Sequence, residues 1–217
     1  LGCGQHFHHC SPVSTRSGHR ARPISYRWRG VRSKWGLLQR ISEPFVDGRD
    51  LERSITQLLV PRIDAAMSGD EPFYVLHGPY EHETMKAPPA QPPAYDIAFI
   101  LRADERVMWP VEAKIIETPK AVAQYIRDIR QEFLTCRYAP FSSSGAMLGY
   151  LLSGAESDAL GTISDRLGCS LEEVFEHPGK PNRWSLHKRT VPAGKCYPVD
   201  FKCYHVILAY QHLSRTR

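Results

Sequence analysis

Four short apolar runs dominate this chain: AYDIAFIL (94–101), RVMWPVEAKII (106–116), GAMLGYLLSG (145–154) and CYHVILAY (203–210). Each reads as a strand, the third as a buried one because glycines bracket it. Segments of a different period separate them. In DLERSITQLLVPRIDAAM (50–67), Leu51, Ile55, Leu58, Leu59, Ile63 and Ala66 recur at helical spacing, with Asp50 placed as an N-cap. Pro61 should kink or split that helix. TPKAVAQYIRDIRQEFLTC (118–136) opens with Thr-Pro at the N-cap and first helical positions, and ESDALGTISDRLG (156–168) is a helix ending at Gly168. PFYVLHG (72–78) and NRWSLHKR (182–189) add strands, and APPAQPP (87–93) is a stiff, extended connection. Helices alternating with strands in this order predict an α/β sandwich around a mixed sheet. A length of 217 residues suits one such domain.

Charge divides the chain at about residue 40. Residues 1–40 hold eight Lys or Arg and no Asp or Glu, whereas the remaining 20 basic residues are outnumbered by 23 acidic ones. The net charge of +5 therefore comes from a basic N-terminal arm (1–40) ahead of the main domain (41–217). Such an arm can neutralise phosphates, or simply be solvated. No run approaches 18 apolar residues and no secretory leader is legible, so a cytoplasmic protein is expected, with no membrane partner. The six cysteines form no CxxC pair. Cys3, His6, His8, His9 and Cys10 are possible zinc ligands, but their spacing matches no zinc-finger pattern, and a structural Zn²⁺ is not expected there.

The hairpin 94–116 carries the chemistry. Side chains alternate along a strand, so Glu112 and Lys114 share a face about 7 Å apart, while Val111, Ala113 and Ile115 turn to the other. Asp96 interrupts the preceding apolar run. If the two strands pair, Asp96 and Glu112 reach one point from neighbouring strands. Two carboxylates and the Ala113 carbonyl then make a hard-oxygen site suited to Mg²⁺, or Mn²⁺ in its place. A lysine beside it can orient water or hold a developing phosphate charge. Pro110, inside the second strand, implies a bulge or an unpaired position.

These residues resemble the PD-(D/E)XK, or restriction-endonuclease-like, nuclease superfamily: Asp96, then Glu112-Ala113-Lys114, with Pro93 three residues ahead of the aspartate. The resemblance covers about residues 43–154. It implies a restriction-endonuclease-like fold with a helix–three strands–helix–strand core. It also implies a glutamate from the first helix completing the metal shell, matched here by Glu52, with Glu43 as second choice. A glutamine on the helix after the lysine is matched by Gln124, with Lys120 and Tyr125 as weaker extras. The implied activity is metal-dependent hydrolysis of phosphodiester bonds in DNA, in restriction, repair or phage defence, acting as a homodimer or with a partner subunit. The alternative is a nuclease-like fold that binds nucleic acid or a partner without cutting.

His77 and His205 read as hydrogen-bonded core histidines rather than general bases. The basic strand with Lys180, Arg183, Lys188 and Arg189 could follow a nucleic-acid backbone, or be a solvated edge. No GxSxG, HExxH or phosphate-loop pattern occurs.

Overall fold

The computed structural model describes residues 51–84, 92–174, 182–211 and 213. The basic arm, its Cys/His cluster, Glu43 and Lys180 lie outside them. The chain forms helix α1 (Leu51–Ala66), strands β1 (Phe73–His77), β2 (Ile97–Leu101) and β3 (Met108–Ile116), and helix α2 (Ala123–Asp128), which runs on into a π-helical turn (Ile129–Phe133). Strand β4 (Ser144–Leu151), helix α3 (Glu156–Leu167) and strands β5 (Glu172–Glu173), β6 (Asn182–Lys188) and β7 (Asp200–Ala209) follow. The strands make one mixed seven-stranded sheet in the order β1-β2-β3-β4-β7-β6-β5. β3, β4 and β7 run parallel, and the other neighbours are antiparallel.

Two cores lie on opposite faces of this sheet. On one, Leu51, Ile55 and Leu59 of α1 pack on Val75, Ile97, Val111 and Ala113. On the other, Val122, Tyr125 and Ile129, with Ala159, Leu160 and Ile163 of α3, pack on Ile116, Met147, Leu151 and Ile207. Strands buried on both faces explain why the central runs are nearly continuous in apolar residues. The expected α/β architecture is present, and α3 stops at Gly168, whose φ of 73° suits a residue without Cβ.

Several boundaries differ from expectation. α1 passes through Pro61 without being split. β2 begins at Ile97, so Asp96 stands just ahead of the strand rather than within it. The second helix starts at Ala123 instead of Thr118, because residues 118–121 close a turn through the bond from Ala121 N–H to the Thr118 carbonyl. Pro110 causes no bulge: the β2–β3 register runs unbroken from Ile97↔Val111 to Ile100↔Met108. Parallel pairing with β4 begins only at Val111, so the proline's missing N–H falls ahead of that ladder.

Gly149 of β4 is the register partner of Lys114. A Cβ there would lie 2.6 Å from Ile116 Cδ1 and 2.7 Å from Ile207 Cδ1, and both isoleucines are fully buried. Gly149→Ala is therefore expected to destabilise the protein by about 1–3 kcal/mol through overpacking, read as a lower urea midpoint at unchanged m-value.

Candidate functional site

The end of β2 opens a gap in the sheet. Beyond Val111, β3 has no strand beside it on the β2 side, and side chains take the place of the missing ladder. The Ala113 N–H donates to Asp96 Oδ2 (2.7 Å), and the Ile115 N–H donates to Glu52 Oε2 (3.0 Å). Continuing the register by one residue sets Asp96 opposite Glu112, as the hairpin reading requires. Glu52, in the first turn of α1, reaches in from the other layer. The carboxylates are thus tied to β3 by backbone hydrogen bonds, which also satisfy two otherwise orphaned donors.

All of these groups converge on one atom. Lys114 Nζ donates to the Ala113 carbonyl (2.6 Å), Glu112 Oε1 (2.8 Å) and Glu52 Oε1 (3.3 Å), and lies 3.8 Å from Asp96 Oδ2. A fourth carboxylate, Asp128 Oδ2, is 3.2 Å away. Glu112, Lys114 and Asp128 are 7%, 9% and 8% exposed, so this cluster is largely withdrawn from water. One ammonium faces four carboxylates, so negative charge is in excess. Burial raises the Glu112 carboxyl well above its usual range, with the Asp96 charge adding to it, despite the Lys114 pair. Glu52 is also raised, chiefly by burial. Burial lowers the affinity of Lys114 for its proton, yet Glu112, Asp96 and Glu52 together push its pKa above the ordinary lysine value.

Among the described residues, no group of three His, Cys, Asp or Glu side chains is already arranged to hold a metal ion. The Lys114 ammonium stands between the carboxylates instead. The donor set nevertheless fits a hard divalent cation. It consists of carboxylate and carbonyl oxygens, its charge is under-neutralised, and Glu112 Oε2 is buried without a hydrogen-bond partner.

Glu52, Asp96, Glu112, Ala113 and Lys114, all singled out in the sequence, therefore meet. Gln124 is exposed, and its amide donates to Asp128 Oδ1 (2.9 Å), so it touches the cluster through Asp128. Lys120 is exposed in the turn ahead of α2. Tyr125 faces away into the core, where its hydroxyl meets His205 Nδ1 (3.0 Å). Asp128 was not foreseen. Its signal was one helical turn beyond Gln124, an acidic residue on the face that also carries Tyr125 and Ile129.

Of the basic strand, Arg189 is buried, which removes it from any surface that could follow a phosphate backbone. His205 is a core residue, as expected: its Nε2 meets Ser185 Oγ (2.8 Å), which meets His187 Nε2 (2.6 Å). Burial lowers the His205 pKa to about 3, with His187 contributing. The unfolded chain, with a histidine pKa of about 6.5, then binds this proton more readily than the folded one. The stabilisation is whole above about pH 6.5 and is lost as pH falls towards 3. Between pH 7 and pH 4 the loss is expected to be on the order of 3 kcal/mol, measured by urea unfolding at both pH values. His205→Gln should flatten that dependence; an unchanged slope would assign the acid sensitivity to other groups.

No described helix is long and apolar enough to cross a membrane. Comparison with known proteins returns no relative: no family model, curated protein or solved structure matches the chain.

Proposed function

We propose that this protein is a divalent-metal-dependent nuclease of the restriction-endonuclease-like type, with DNA as its substrate. The observation that carries this reading is the meeting of Glu52, Asp96, Glu112 and the Ala113 carbonyl at the Lys114 ammonium, beside the stretch of β3 beyond Val111 that β2 leaves unpaired. The element order of helix, three strands, helix and strand over 51–151 supports it further.

Asp96, Glu112, Glu52 and the Ala113 carbonyl would hold Mg²⁺ or Mn²⁺. Such an ion supplies charge that acidifies water and neutralises the phosphate. The hydrogen bonds from Ala113 N–H and Ile115 N–H hold Asp96 and Glu52 in place, so the donor oxygens are positioned before substrate arrives. Lys114 brings the positive charge that orients the attacking water or stabilises the phosphorane-like transition state. A role in restriction, repair or phage defence, with a second copy or another subunit as partner, rests on the resemblance alone.

One observation favours a second reading, a module that binds nucleic acid without cutting. The three N–H groups of Lys114 are all engaged, as suits a fixed structural counter-ion. Cleavage assays on plasmid, linear and single-stranded DNA with Mg²⁺ or Mn²⁺ separate the two. Metal-dependent cutting is the expected result; DNA binding without cutting under either metal favours the second reading.

A further inference from the structure

The fourth carboxylate is surplus to the ligand set just described. Asp128 sits at the end of α2, in the layer opposite Glu52, with one oxygen taken by the Gln124 amide and the other 3.2 Å from Lys114 Nζ. Meanwhile the Lys114 ammonium rests on the same oxygens that a divalent cation would need: the Ala113 carbonyl, Glu112 Oε1 and Glu52 Oε1. Two cations cannot share those oxygens at such distances without strong repulsion. For the site to load, the ammonium must yield them while remaining paired, because an unpaired buried charge is costly. Among the described residues, Asp128 is the carboxylate within 4 Å of the ammonium that lies outside the proposed ligand set. Glu112 Oε2, buried and without a hydrogen-bond partner, is an independent sign that the cluster is built for a cation beyond the lysine.

We propose that Asp128 is a positioning residue that receives the Lys114 ammonium when a divalent cation takes Glu52, Asp96 and Glu112. Lys114 is then an exchangeable resident of the site. It offsets part of the carboxylates' charge in the metal-free protein and moves towards α2 in the loaded one, still charged and beside the substrate phosphate. Gln124 completes the arrangement by holding the Asp128 carboxylate from behind. This inference rests on the metal-site reading above.

A double-mutant cycle on Mn²⁺ affinity, measured calorimetrically without substrate, tests it. Lys114→Met should tighten Mn²⁺ binding, since the competing cation is gone. Asp128→Asn should weaken binding about tenfold in the parent, yet change it less than about twofold in the Lys114→Met background. Equal weakening in both backgrounds would make Asp128 a direct ligand and overturn the proposal, as would no weakening in the parent. A parent that binds no Mn²⁺ would overturn the metal-site reading itself, and this inference with it.

If Lys114→Met does not fold, amine acylation of Lys114 followed by mass spectrometry gives a second route. Lys114 should stay protected in the parent at saturating Mn²⁺ and become reactive in Asp128→Asn under the same conditions. Equal protection in the two proteins would overturn the role assigned to Asp128.

Discussion

Asp96→Asn and Lys114→Ala should each lower metal-dependent DNA cleavage by at least about 10²–10³-fold, the range found when one charge-stabilising group is removed from a reaction centre. The asparagine is chosen for a physical reason. Its side-chain oxygen can still accept the Ala113 N–H that Asp96 Oδ2 accepts at 2.7 Å, so the stretch of β3 beyond its pairing with β2 keeps this hydrogen bond. What the substitution removes is the negative charge. Activity should therefore fall while the unfolding midpoint stays close to that of the parent. Lys114→Ala is a harsher change, because it leaves four carboxylates clustered without their ammonium. Its folding needs checking by circular dichroism before its rate is interpreted, and Lys114→Arg serves as the charge-retaining comparison. The measurement is the initial rate of plasmid relaxation with and without Mg²⁺. Cutting by the Asp96→Asn protein at the parental rate would place the chemistry elsewhere.

The largest effect on stability is expected at Arg189. The residue is 5% exposed, and its guanidinium donates to four main-chain carbonyls: Phe133 (2.9 Å), Tyr138 (2.9 Å), Ala139 (3.0 Å) and Ser142 (3.0 Å). It also lies 4.1 Å over the Phe201 ring. The segment it gathers is irregular. It leaves a π-helical turn and contains two non-glycine residues in the left-handed region, Cys136 at φ 60° and Ala139 at φ 51°. A regular ladder could not satisfy those carbonyls, and one planar, forked cation does. Arg189→Ala strands them in the interior, and at about 1–3 kcal/mol for each unsatisfied group the expected loss is on the order of 4 kcal/mol or more. Lysine has a single point of charge and should recover less than half of it. Urea unfolding at pH 7 gives the number. A loss below about 1 kcal/mol would mean that water or a shifted backbone satisfies the carbonyls.

Asp128 and Arg189 show where sequence reasoning stopped. Asp96, Glu112 and Lys114 were legible because strand alternation and hairpin pairing are local rules, and a charge at a core-facing period is conspicuous. Glu52 needed a contact across 62 residues to Lys114, and the resemblance supplied it where periodicity could not. Asp128 looked like any polar residue in a helix. Its importance arises because α2 starts at Ala123 rather than Thr118 and packs against β3, which sets Asp128 over the lysine. Arg189 was misplaced for a similar reason. It follows Lys188 at the end of a strand that reads as basic, but its side chain turns inward beneath the loop after α2.

By itself, then, the sequence determined the class of fold, the order of its main elements and the hairpin around which Asp96, Glu112 and Lys114 gather. These follow from hydrophobic period, glycine and proline placement, and alternation, all of which act over a few residues. Only the tertiary structure decided that β2 begins one residue after Asp96, leaving β3 unpaired beyond Val111 where carboxylates take the place of a strand. It alone set one ammonium among four carboxylates from four separate segments, and one guanidinium among four carbonyls. The reason is that burying a charge is tolerated only where distant partners meet it, and those meetings are a property of packing between elements.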